Sequence, residues 1–253
     1  MLAPERQKYI LETLEQTGAV TVSKLAISLG VTEETIRRDL DKLEADEALI
    51  RTHGGAVPIE ESAYDLSLEK RKSTNVEVKQ KLAKLAASHV NSGDTIFLDA
   101  STTTYFMANE LRTKKNITVI TNSLRVIATL ASCEHIKLIS VGGVVSPNQS
   151  FVGSLAENTI KEQYFANKMF FSAKGITEDI GILESNEQEC GIKQNMLRNS
   201  KRKYFLCDSA KIGRVGFAKL ARISDIDFFL TDADLNDEFK QVLEDNAVKI
   251  IKE

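Results

Sequence analysis

Residues 31–57 constrain this chain more tightly than any other stretch. The run Thr35-Ile36-Arg37-Arg38-Asp39-Leu40, continuing to Leu43, places Ile36, Leu40 and Leu43 on one face of a helix and sends Arg37 and Arg38 away from it. Just before it, Gly30 allows a left-handed turn and Thr32 suits the helix N-cap. Just after it, Leu49 to Val57 alternates and turns at the paired glycines Gly54-Gly55, a hairpin signal. Two further helices are expected upstream. One runs from Pro4 through Ile10, Leu11 and Leu14 to a stop at Gly18, and the other is capped by Thr21 and carries Val22, Leu25, Ala26 and Leu29. Helix, turn, helix and hairpin in this order make a winged helix-turn-helix. An Arg-Arg pair alone is ordinarily a solvated face; the ordered set around it is what points to DNA.

In that geometry the third helix enters a major groove, with Thr32, Glu33, Thr35, Arg37 and Arg38 facing base edges or phosphates. The wing lays Arg51 and His53 near the sugar-phosphate backbone. An arginine bidentate to guanine discriminates by about 1–3 kcal/mol. The chain carries a net charge of -3, and its first 57 residues hold seven Lys/Arg against ten Asp/Glu. Affinity must therefore come from a few placed arginines on a segregated face rather than from a general positive field.

The segment from Arg6 to Val57 resembles the N-terminal domain of the DeoR family of bacterial transcriptional regulators. The family signature stands here as Thr35-Ile36-Arg37-Arg38-Asp39-Leu40, Leu43-Glu44 and Arg51-Thr52-His53-Gly54-Gly55-Ala56. One departure is Glu47, where the family places a glycine between helix and wing.

Residues 58–75 are polar, charged and weakly periodic and read as a linker between a DNA-binding domain, 1–57, and a second domain, 76–253. The second domain alternates. Strands are expected at 95–99, 117–121, 136–141, 168–173, 203–207, 227–231 and 248–251. Helices are expected at 76–90, 103–111, 123–131, 154–163, 187–199 and 236–245. Continuous apolar strands between amphipathic helices predict a mainly parallel sheet covered on both faces, an α/β fold with ligands at the strands' carboxyl ends. Polar residues gather at those ends: Asp99-Ala-Ser101-Thr102-Thr103, Thr121-Asn122-Ser123, Gly142-Gly143, Ser172-Ala-Lys174 and Asp208-Ser-Ala-Lys211. Each alone is usually a cap, a turn or a surface pair. Together they suit an anionic, hydroxyl-rich ligand such as a phosphorylated sugar held at a helix N-terminus.

This half resembles the DeoR effector domain, whose fold is similar to ribose-phosphate isomerases. The family's Asp-x-Gly-Thr-Thr loop is Asp99 to Thr103 here, with Ser101 in place of the glycine. Its Thr-Asn-Ser, Gly-Gly and Asp-x-x-Lys fall on 121–123, 142–143 and 208–211, and its late-helix Glu and Met on Glu189 and Met196. Lys174 stands where many relatives carry an acidic or small residue. The resemblance implies a cytoplasmic homodimer or homotetramer that binds double-stranded operator DNA and answers to a phosphorylated sugar, most simply as a repressor of a carbohydrate-utilisation operon.

Two other readings stay open on the residues: a sugar-phosphate isomerase-like enzyme with an appended DNA-binding domain, using Asp99, Asp208 and Lys211, and a binding module whose second half only dimerises. His53, His89 and His135 lack metal-ligand spacing, and no nucleophile with an adjacent base is evident. No metal, cofactor or catalytic residue is therefore expected. Cys133, Cys190 and Cys207 are spaced as reduced thiols. There is no apolar run of the roughly 20 residues a membrane span requires, and no signal-peptide core.

Overall fold

The computed structural model describes residues 3–17, 20–46, 48–52, 54–57 and 68–253. Gly18, Glu47, His53 and most of the expected linker, 58–67, lie outside the described residues. The chain divides into two compact units, Met1–Leu66 and Ser67–Glu253.

In the first unit, α1 (Ala3–Thr17), α2 (Val22–Leu29) and α3 (Glu33–Ala45) surround a core of Ile10, Leu14, Leu25, Ile36, Leu40 and Leu49. The caps fall where the sequence puts them. Thr21 Oγ1 accepts from Lys24 N at 3.4 Å, Thr32 Oγ1 accepts from Thr35 N at 3.3 Å, and α2 ends at Gly30 with φ 64°. The wing is β2 (Ile50–Thr52) paired antiparallel with β3 (Gly55–Val57), in the register Ile50↔Val57 and Thr52↔Gly55. A short strand the sequence did not announce, β1 (Val20–Thr21), adds to the far side of β3. That addition corrects the role of Gly55. It lies in the strand, not in the turn, and a Cβ there would sit 1.7 Å from Val20 O. A glycine is needed because β1 approaches its backbone.

The second unit opens with α4 (Leu68–Ser73), a helix inside the stretch expected to be linker. After α5 (Val76–Ser88), the chain builds seven parallel strands. They are β4 (Thr95–Leu98), β5 (Ile117–Thr121), β6 (Ile136–Ser140), β9 (Ala166–Phe171), β12 (Ser200–Cys207), β14 (Phe228–Thr231) and β15 (Lys249–Lys252). Their order, β15-β14-β12-β9-β4-β5-β6, reverses direction between β4 and β9. Helices α6 (Thr102–Leu111), α7 (Leu124–Leu130), α8 (Ser154–Gln163), α9 (Glu187–Arg198) and α10 (Asp237–Asp245) cover the faces. Separate apolar cores lie on the two sides, one around Phe97, Phe171, Phe205 and Phe229, the other around Leu98, Phe170, Tyr204 and Leu230.

Strand register explains that division. Phe170, Tyr204 and Phe228 pair across β9, β12 and β14 and stack at 4.6 and 4.4 Å on one face, while Phe171, Phe205 and Phe229 pair on the other. The sequence did not foresee two small accessories. One is the hairpin β7 (Val144–Val145) with β8 (Phe151–Val152). The other is the antiparallel sheet of β10 (Gly175–Thr177), β11 (Gly181–Glu184) and β13 (Ala218–Ala221). Strands of two to four residues are too short to show a period. No helix among the described residues is long and apolar enough to cross a membrane.

Candidate functional site

On the first unit, α3 presents Thr32, Glu33, Thr35, Arg37 and Arg38 along its N-terminal half. Arg37 Nη2 donates to Glu33 Oε2 at 2.6 Å, and Arg38 Nε lies 3.4 Å from Glu34 Oε1, both pairs one helical turn apart and exposed. Such pairs cost little to open, so the local acids hold the arginines without removing them from a competing phosphate. Thr32 and Thr35 hydroxyls lie 2.9 Å apart and belong to the cap. Arg51, expected near the sugar-phosphate backbone, also has partners within its own unit. It donates to Asp41 and, through Nη1, to Arg37 O at 3.2 Å, so it ties the wing to α3. Asp39, which the sequence offers only as a member of a signature run, holds the unit together. It is buried and receives Arg6 of α1 on both carboxylate oxygens, with Arg6 Nη2 at 3.1 Å from Oδ1.

In the second unit the carboxyl ends of β4 and β9 flank the reversal in strand order, where an open parallel sheet leaves a crevice. Asp99, directly after β4, is wholly buried. Its Oδ1 accepts from Ser101 Oγ and Thr104 Oγ1, each at 2.7 Å, and its Oδ2 accepts from Ser172 N at 3.2 Å across the reversal. Lys193 of α9 reaches the same carboxylate at 3.0 Å, donates to Ser172 O at 2.8 Å and pairs with Glu184 of β11. Burial alone would lower the Lys193 pKa, but Asp99 and Glu184 outweigh it and hold the ammonium above its ordinary range. Asp99 stands among the residues expected from sequence and Lys193 and Glu184 do not, because the carboxylate that Lys193 shares lies far upstream of both.

Around this hub the loops present their polar groups. Ser101 caps α6, and Thr102, Thr103 and Thr104 are buried in its first turn. Thr103 Oγ1 and Asn122 Oδ1 are buried with no hydrogen-bond partner, a costly arrangement in a protein interior. Ser123 is spent on capping α7, accepting from Val126 N at 3.3 Å. Gly142 and Gly143 lead into β7, and a Cβ on Gly143 would meet Val152 O at 2.8 Å. The turn between β7 and β8 sends Ser146 and Ser150 onto Glu189 Oε1, the former at 3.3 Å. Burial raises the Glu189 pKa above the usual carboxylate range, against the pull of the Ser150 hydrogen bond and Lys193.

A cationic group completes the picture. Lys211 Nζ donates to Ala173 O, and Asp208 beside it is buried. Lys79, at the start of α5, is 4% exposed and donates to Arg71 O at 2.6 Å and Thr74 O at 2.7 Å. Burial first, then Lys211 and Arg71, lower its pKa to about 8, with Asp208 the one carboxylate opposing them. Arg71 in turn donates to Asn148 Oδ1 at 2.9 Å, beside the Glu189 serines. Lys174 is half-buried next to this group, its backbone N bonded to Leu183 O at 3.0 Å. Neither Arg71 nor Lys79 could be picked from sequence, where Lys70-Arg71-Lys72 reads as a solvated run.

Comparison with known proteins bears on both units. Residues 6–62 match the DeoR-like helix-turn-helix domain, and residues 74–233 match the DeoR C terminal sensor domain. The chain is 41% identical, over 99% of its length and 96% of the relative's, to the HTH-type transcriptional regulator YulB of Bacillus subtilis (strain 168). It is 36% identical to the lactose phosphotransferase system repressor of Lactococcus lactis subsp. lactis, over 93% of this chain and 95% of that one. Ribose 5-phosphate isomerase A of Methanocaldococcus jannaschii is similar over 55% of each chain, at 18% identity and a TM-score of 0.42.

Proposed function

This chain belongs to the DeoR family of transcriptional regulators, and on that premise we propose that it represses a carbohydrate-utilisation operon under the control of a phosphorylated sugar. Residues 1–57 read operator DNA in a homodimer or homotetramer, residues 58–75 join them to the sensor, and residues 76–253 hold the sugar. A relative named as the lactose phosphotransferase system repressor supports the carbohydrate side of this reading.

One observation carries the ligand class. Lys79 lies within electrostatic reach of Lys211 and Arg71 with one carboxylate, Asp208, opposing them, and two oxygens at the strand ends, Thr103 Oγ1 in the first turn of α6 and Asn122 Oδ1 after β5, are buried without partners. A phosphate there gains the cations, the helix N-terminus and the Thr103 hydroxyl. A sugar hydroxyl donating to Asn122 Oδ1 satisfies the second orphan. Thr102 offers the phosphate its backbone N–H, Ser101 caps the same turn with its own N–H held by Asp99 Oδ1 at 3.2 Å, and Ser123, Gly142, Gly143, Lys174 and Glu189 line the sugar. Asp99, engaged on both oxygens, acts as a positioning residue for the loop rather than as an acid or base, and this favours a sensor over an isomerase.

On the DNA side, Thr32, Glu33, Thr35, Arg37 and Arg38 read the groove, with Arg51 and His53 at the wing. The test separates the two ends. Arg38→Ala is expected to weaken operator binding about tenfold in a mobility shift, while a panel of sugar phosphates raises its melting temperature as in the parent chain. Turnover of any of those sugars would overturn the sensor reading, and operator affinity unchanged by Arg38→Ala would overturn the assignment of the reading helix.

A further inference from the structure

The turn that joins β7 to β8 makes two sets of contacts. One set holds residues assigned to the sugar. Ser146 Oγ and Ser150 Oγ both donate to Glu189 Oε1, the former at 3.3 Å. Phe151 N donates to Asn122 O at 2.7 Å, and Asn122 Nδ2 returns a bond to Phe151 O at 3.2 Å, so it is the Oδ1 of the same amide that stays orphaned. The other set reaches α4, where Arg71 Nη2 donates to Asn148 Oδ1 at 2.9 Å.

Between these contacts the turn is closed on itself. Pro147 occupies its second position, where a fixed φ is favoured. Gln149 N donates to Ser146 O at 2.9 Å, and Ser146 N to Ser150 O at 2.8 Å. Asn148 N donates to Ser146 Oγ at 3.2 Å, the same hydroxyl that reaches Glu189. A turn bonded in this way moves as a piece, so a displacement at Glu189 or Asn122 is carried to Asn148 rather than absorbed on the way.

The first unit ends at Leu66, and α4 is the first described element after it. It is fastened to the sensor at three places. Arg71 is held by Asn148, Lys72 Nζ lies 5.5 Å from the centroid of the Tyr105 ring on α6, and buried Lys79 of α5 donates to Arg71 O and Thr74 O. Four hydrogen bonds thus join Glu189, Ser146, Asn148, Arg71 and Lys79 in one series.

We propose that Asn148 is a positioning residue that couples the effector site to the linker. Sugar bound at Glu189 and Asn122 fixes the turn, the fixed turn holds Arg71, and α4 stays docked on the sensor, which sets where the chain to the DNA-binding unit departs. This inference rests on the sugar-phosphate reading above and supplies its route to DNA. Without ligand the unsatisfied Asn122 oxygen weakens the hold on the turn, and α4 is released more often. The ligand then has unequal affinity for the docked and released states, as control of DNA binding requires.

The test uses the full chain, a DNA duplex that it selects from random sequence, and whichever of fructose 1-phosphate, fructose 6-phosphate, glucose 6-phosphate and ribose 5-phosphate binds by calorimetry. In the parent chain that sugar is expected to change duplex affinity about tenfold and to slow amide exchange in residues 68–74. Asn148→Ala is expected to bind both the sugar and the duplex, with the sugar changing duplex affinity by less than about twofold and leaving exchange in 68–74 unaltered. Asn148→Asp, which keeps an acceptor for Arg71, is expected to restore most of the coupling, and an unchanged melting temperature of the free variants guards against a folding defect. Three results each overturn the relay and leave the sugar-phosphate reading standing. They are coupling in Asn148→Ala equal to the parent's, loss of sugar binding in that variant, and a bound sugar that leaves duplex affinity or the exchange of 68–74 unchanged in the parent. If none of the four sugars binds, the sugar-phosphate reading falls and the relay with it.

Discussion

At the scale of single residues, Lys79 makes the sharpest statement. A lysine 4% exposed, held by two backbone carbonyls and pressed by neighbouring cations, has a pKa near 8. A bound phosphate favours the charged form and raises that value, so above pH 8 the ligand must bind together with a proton. The sign follows: with a phosphate at the proposed site, effector affinity is expected to be greatest where Lys79 is already protonated and to fall as pH rises through 8, approaching tenfold per pH unit in that window. Calorimetry in buffers of different ionisation enthalpy should show proton uptake near pH 9, and Lys79→Met should abolish it. Stability of the free protein runs the other way. The depressed pKa is a cost below about 8 that is relieved as pH approaches the unfolded value of about 10.4. Asp39 is the counterpart in the first unit. Asp39→Ala leaves the Arg6 guanidinium buried without its carboxylate and should destabilise that unit by about 3 kcal/mol. The readout is an earlier thermal transition with effector affinity unchanged. Sequence alone named Asp39 only as part of a signature, because nothing in its neighbours says that its partner lies 33 residues upstream.

At the scale of elements, the caps and turns follow local chemistry closely. Thr32 closes the helix start at which the sequence placed it, and Ser101 and Ser123, singled out in the sequence as ligand-site residues, cap α6 and α7. The wing behaves differently. Arg51 is half of a clasp that joins β2 to the middle of α3 through Asp41 and Arg37 O. We expect Arg51→Ala to loosen the wing, speeding amide exchange in 50–57 and lowering operator affinity. Both bonds leave from Nη1, so Arg51→Lys, whose single ammonium can serve both acceptors from a shorter side chain, should recover part of the ordering. If Arg51 served only as a phosphate contact, exchange would be unaltered and lysine would restore most of the binding. The hairpin β7–β8 is a similar case of an element set by approach rather than by propensity. Gly143 has φ 125° and no room for a Cβ beside Val152 O, which keeps Ser146 and Ser150 on Glu189.

At the scale of the whole molecule, a ligand can govern DNA binding only through unequal affinity for two states, and the coupling is reciprocal. If sugar phosphate weakens operator binding by some factor, saturating operator DNA must weaken sugar-phosphate binding by the same factor. Titrating each ligand with and without the other should close that thermodynamic cycle. Operator affinity should also fall with salt on a shallow slope, since the reading surface offers few cations among many acids. A steep slope would mean that residues beyond Arg37, Arg38 and Arg51 neutralise phosphates.

The sequence by itself determined the three helices and hairpin of the first unit, the seven strands of the parallel sheet and the helices between them, in order, while α4 and the short strands β1, β7, β8, β10, β11 and β13 escaped it. Helical spacing, caps, the glycines at the turns and the apolar strands are local signals, and a parallel sheet is the arrangement that buries such strands on both faces. It also determined which loops crowd the carboxyl ends, since strand–loop–helix order places them there. Only the tertiary structure decided which charges meet. Arg6 with Asp39, Lys193 with Asp99, and Lys79 beside Lys211 are pairings between segments distant along the chain. The physical reason is range. Backbone conformation is set within a few residues, whereas the burial that makes a charge matter is set by packing. A basic run such as Lys70-Arg71-Lys72 looks solvated until the fold places part of it at the wall of a site.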